Sequence, residues 1–71
     1  MYTRYTEARE RLGISDYEVA KLSGVSVSTI YEWLARTKQN PGANLSVDNA
    51  RKVAKVLGIT LDELLAEEGG E

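Results

Sequence analysis

Two short helical patterns in this chain are separated by only four residues, Ser23-Gly24-Val25-Ser26, and no other feature limits the fold as much. A join this short cannot act as a linker, so the two helices must pack directly against each other. Glycine at position 24 suits such a turn, because a positive φ is cheap only without a side chain. Ala20, four residues earlier, is small where the two helices would cross. The helix before the turn opens with Ser15-Asp16-Tyr17-Glu18, a capping box in which Ser15 and Glu18 satisfy each other's backbone donors. Its expected inward residues are Val19, Ala20 and Leu22. The helix after the turn starts at Val25 or Ser26 and runs to about Arg36. Val25, Ile30 and Trp33 fall on its inward face with Leu34 beside them, which leaves Val27, Ser28, Tyr31 and Glu32 pointing outward.

The same reasoning covers the flanks. Tyr5, Ala8 and Leu12 recur at helical spacing over Thr3 to Leu12, and Gly13 stops that helix. Arg36 to Leu45, with Asn40, Pro41, Gly42 and Asn44, predicts a loop. Val47, Ala50, Val53, Ala54 and Leu57 form an apolar stripe on a helix from about Ser46 to Leu57, ended by Gly58. Thr60-Leu61-Asp62-Glu63 is a second capping box and opens a last short helix through Leu64 and Leu65. The expected fold is therefore all-α: a compact five-helix bundle with the close-coupled pair at its centre. One domain is expected over residues 1–66, with a flexible acidic tail over 67–71.

Composition narrows the chemistry. The 71 residues include no cysteine and no histidine, which removes disulfides, thiolate metal sites and the commonest general base. There is no glycine-rich phosphate loop and no convincing carboxylate pair, so no enzyme, cofactor or small-molecule ligand is expected. No run of about 18 apolar residues is present, and a cytoplasmic location away from membranes is expected. The net charge of −2 is unevenly spread. Residues 1–57 hold nine bases and six acids, giving 9 − 6 = +3, whereas residues 58–71 hold five acids and no base, giving −5. A mildly basic body can present a positive face to phosphate despite an acidic end.

The run GISDYEVAKLSGVSVSTIYEWL, then NP, then DNARKVAKVLGITLDELL, resembles the phage lambda repressor and Cro-like (XRE-type) helix-turn-helix family over about residues 4 to 65. That resemblance implies sequence-specific binding of duplex DNA in bacterial or phage transcriptional control, with the helix at about 26–36 in the major groove. Carried over by position, base readout falls to Val27, Ser28 and Glu32, with Thr29 and Tyr31 nearby. Ser26, Lys38 and Asn40, with backbone amides at the starts of the second and third helices, would hold phosphates. Ala20, Gly24, Ile30 and Trp33 would be structural. A domain of this size covers one half-site, so a homodimer is expected, at least on DNA.

The sequence departs from the family pattern in two places. Many members carry glutamine where this chain has Asp16, and a carboxylate there repels a phosphate unless it only caps its helix. The segment after Arg36 is also long, with Gly42-Ala43-Asn44 inserted. The outward face of the third helix has no arginine or lysine, so the bidentate contact to guanine is missing from it. The acidic isoelectric point of about 5.1 and that uncharged face motivate an alternative, a protein-binding module on the same fold, such as an antirepressor, an antitoxin partner or an adaptor. Elsewhere the plain readings are expected: Trp33 as core, Arg51, Lys52 and Lys55 as a solvated face, Asp48 and Lys52 as an i,i+4 pair, and Glu63, Glu67 and Glu68 as a solvated end.

Overall fold

The computed structural model describes residues 1–66 as α1 (Tyr2–Leu12), α2 (Asp16–Ser23), α3 (Val27–Thr37), α4 (Val47–Leu57) and α5 (Leu61–Leu65). Three helices, α2, α4 and α5, begin at a side-chain cap, and three, α1, α2 and α4, end at a left-handed glycine. Gly13, Gly24 and Gly58 follow α1, α2 and α4 with φ of 70°, 81° and 75°. Ser15 and Thr60 each form a complete capping box, with Glu18 and Glu63 respectively. Ser46 caps α4 by accepting from the Asn49 amide at 3.3 Å. The expected tail, residues 67–71, lies outside the described residues.

The residue just before each of those three caps turns inward: Leu45 is buried, and Ile14 and Ile59 are half-buried against the core. Four positions into each helix stands a buried partner, Val19, Ala50 or Leu64. This is the hydrophobic staple, which fixes the angle at which a chain enters its helix. The core itself is built from Tyr5, Val19, Ile30, Trp33, Val53, Leu57 and Leu64, with the smaller Ala8, Ala20, Ala50 and Ala54 at the closer approaches. Helix α4 is the common support, packing against α1, α2 and α5, while α2 also packs against α3.

Four expectations are corrected. Leu12 stays half exposed because the Gly13 turn carries the chain back, and Ile14 takes the core position instead. Leu22 is 66 % exposed. The buried row of α2 runs through Val19 and Ala20 toward Ser23, and Leu22 stands off that row. Val47 is 57 % exposed, since the first turn of α4 sits at the rim and Leu45 fills the space below it. The predicted loop from Arg36 begins two residues late, because α3 continues through Thr37. Thr37 is buried and its hydroxyl donates to the Leu34 carbonyl at 2.6 Å.

Candidate nucleic-acid interface

The candidate surface is built on α3, and its orientation follows from two opposed stripes. Ile30 and Trp33 are fully buried, and Leu34 and Thr37 continue that side. Ser28, Tyr31, Glu32 and Ala35 repeat at the same three-and-four spacing and are all exposed. One helix face is therefore fixed to the core and the other is clear of it.

The α2–α3 turn sets the position of that face. The Gly24 amide donates to the Ala20 carbonyl at 3.0 Å, closing α2 through a left-handed residue. The Ser23 hydroxyl then accepts from the Val25 amide at 3.2 Å, and Val25 is buried. Ala20 is buried where α2 meets its neighbours, as its size requires.

Trp33 anchors the far end. Tyr5 of α1 meets its ring edge-on at 5.1 Å and 86°, and Tyr2 lies at 6.3 Å. The indole Nε1 donates to the Ala43 carbonyl at 2.9 Å. Through this bond the inserted Gly42-Ala43-Asn44 segment is tied to α3. The Asn40 side chain supports the segment by accepting from the Gly42 amide at 3.2 Å. Trp33 is a core residue with a polar handle, as the apolar spacing predicts.

The other expected contact residues take distinct places. Ser26 is the exposed N-cap residue of α3, and its side chain makes no cap hydrogen bond. The hydroxyl and the first amides of α3 are thus left available at a positive helix end. Lys38 is exposed at the C-cap of α3, and Asn40 is exposed in the following turn. Val27 is half-buried against the core and Thr29 is half-buried too, so they offer less surface than Ser28, Tyr31 and Glu32. The structure adds Arg36, exposed on the last turn of α3 with a long 3.4 Å bond from its guanidinium to the Asn44 carbonyl, so the outward face is not without a basic side chain as expected. Periodicity could have found it: Arg36 lies four residues after Glu32.

Asp16 resolves differently from either expectation. Ser15, not Asp16, caps α2. The Asp16 carboxylate accepts from the Tyr5 hydroxyl at 2.5 Å and lies 3.1 Å from Arg9 Nε. That Nε is buried and its N–H is not aligned for a hydrogen bond, so the contact is an ion pair. A second guanidinium nitrogen of Arg9 donates to the Ile14 carbonyl at 2.8 Å. Burial pushes the Tyr5 phenol well above its ordinary range; the hydrogen bond and charge of Asp16 act the same way, and Arg9 opposes them. The carboxylate is committed to α1, and its partners lie 11 and seven residues away, beyond any local pattern.

Two helices coupled through a glycine turn, with the second presenting a polar stripe, define a helix-turn-helix protein. A family model described as helix-turn-helix matches residues 6–64, and the chain belongs to that XRE/lambda repressor-like family, a family of DNA-binding regulators. No curated protein and no solved structure matches the chain significantly.

Proposed function

We propose that this chain is a sequence-specific reader of duplex DNA in bacterial or phage transcriptional regulation, acting in the cytoplasm with α3 in the major groove. The observation that carries the reading is the exposed stripe Ser28, Tyr31 and Glu32, on a helix whose opposite face is locked into the core. Ser28 donates or accepts at base edges, and Glu32 accepts from an exocyclic amino group of cytosine. Val27 presents its remaining surface to a thymine methyl, with Thr29 and Tyr31 at the margin. Ser26, Lys38 and Asn40 hold phosphates and set the register without reading sequence. Two copies bind half-sites about 34 Å apart, one helical turn of DNA. The protein carries out no catalysis in this reading.

Selection of bound sequences from random DNA tests the reading directly, since it returns a motif and a half-site spacing. A salt series then separates the roles. Log affinity should fall linearly with log salt, and Lys38→Ala should reduce the slope by about one while weakening all sites alike. Glu32→Gln should instead change base preference, by about 1–3 kcal/mol at one position. Absence of binding at low salt ends the proposal.

A further inference from the structure

On the α2–α4 side lies a groove of about 450 Å³ lined by Leu22, Ser23, Lys52, Lys55 and Val56. None of these residues belongs to α3, so the groove is separate from the face assigned to DNA. Its apolar residues are Leu22, the most exposed large hydrophobic side chain among the described residues, and the half-buried Val56. Lys52 and Lys55 are exposed and have no carboxylate within 4.0 Å among the described residues; the expected Asp48–Lys52 pair does not form, and Asp48 meets Arg51 at 3.9 Å instead. An exposed leucine that shares a groove with two lysines suits a ligand that is apolar and acidic at once, and suits a phosphate backbone poorly.

The chain carries the complement itself. Residues 58–71 bear a charge of −5 and no base. Within them Leu61 and Leu65 pack with one side against this chain's own core and leave the rest of their surface uncovered, and Asp62 is exposed beside them. Helix α5 packs against α1 and α4, and the groove is lined by no residue of α5. We propose that the acidic, leucine-bearing end of a second copy of this chain docks in the Leu22–Val56 groove. Leucine side chains meet Leu22 and Val56, and the carboxylates face Lys52 and Lys55. The exchange is reciprocal, so two copies close a two-fold dimer with two identical contacts. This deepens the dimer reading above by naming its surface, but it needs no DNA.

The test is therefore run without DNA, which keeps its failure distinct from failure of the DNA reading. Sedimentation equilibrium of the whole chain up to about 1 mM should show dimer at about 50 mM salt and less at about 500 mM. The Lys52→Glu/Lys55→Glu chain and the Glu67→Lys/Glu68→Lys chain should each associate about tenfold more weakly, and an equimolar mixture of the two should recover association. Leu22→Ser should weaken it without changing its salt dependence. Circular dichroism checks that each variant is folded, and Lys52→Gln/Lys55→Gln replaces the reversed pair if it is not. A chain monomeric throughout, or dimers indifferent to both charge reversals, overturns the proposal. A monomer whose acidic end folds onto its own lysines gives the first of those results.

Discussion

The Tyr5 ring stands edge-on to Trp33 while its hydroxyl reaches Asp16, so one side chain joins the core to the start of α2. An unfolded tyrosine ionises near pH 10. Folded Tyr5 holds its proton to higher pH, chiefly through burial. Its contribution to stability is thus fully present below about pH 10 and is lost above it, because the unfolded chain releases a proton the folded chain keeps. Stability should fall there by up to about 1.4 kcal/mol per pH unit, beyond any loss from other groups. Tyr5→Phe should flatten this alkaline decline; denaturant titrations from about pH 9 to about pH 11 check it, and equal slopes in the two chains contradict it. Trp33→Ala removes the largest fully buried side chain. It should cost about 3–5 kcal/mol, close to the whole stability of so small a core, and leave the chain largely unfolded by circular dichroism.

Helix entry is handled by one repeated device. Gly13-Ile14-Ser15 and Gly58-Ile59-Thr60 each stop a helix in the left-handed region, turn an isoleucine toward the core and cap the next helix with help from a glutamate. The second and fifth helices therefore have their entry angles set by residues close in sequence. Ser15→Ala and Thr60→Ala should each lower stability by about 1 kcal/mol, and the double variant should show the sum, since the caps share no partner. At Gly24 an added Cβ would meet nothing within 4 Å, so Gly24→Ala isolates the conformational cost of φ 81°. That cost is about 1–2 kcal/mol, read as a lower urea midpoint with an unchanged slope.

At the scale of the molecule, charge is the quantity distributed unevenly. The body over residues 1–57 is +3 and the remainder is −5, so the acidic end opposes any approach to DNA by the rest. Removing residues 67–71 deletes three glutamates and takes the net charge from −2 to −2 + 3 = +1. At concentrations where the chain is monomeric, the shortened chain should bind DNA more tightly at low salt, with the gain vanishing as salt rises. Filter binding at two salt concentrations checks this, and a gain that persists at high salt would point to a cause other than charge. The melting temperature of the monomer should stay the same, because a complete core cluster is already formed by the described residues, 1–66.

The helices and their order were legible in the sequence, because caps, glycine stops and apolar spacing act over a few residues and need no knowledge of the fold. The outward and inward sides of α3 were legible for the same reason, except at Val27, which was expected outward and lies half-buried against the core. Which apolar residues at helix rims reach the core was not: Leu12, Leu22 and Val47 carry the right chemistry, but Ile14 and Leu45 reach the interior instead. The fate of Asp16 was equally hidden, since its partners Tyr5 and Arg9 lie on another helix. Local rules place an element and its face. Only packing between elements decides which side chains fill the shared space and which charges meet across it.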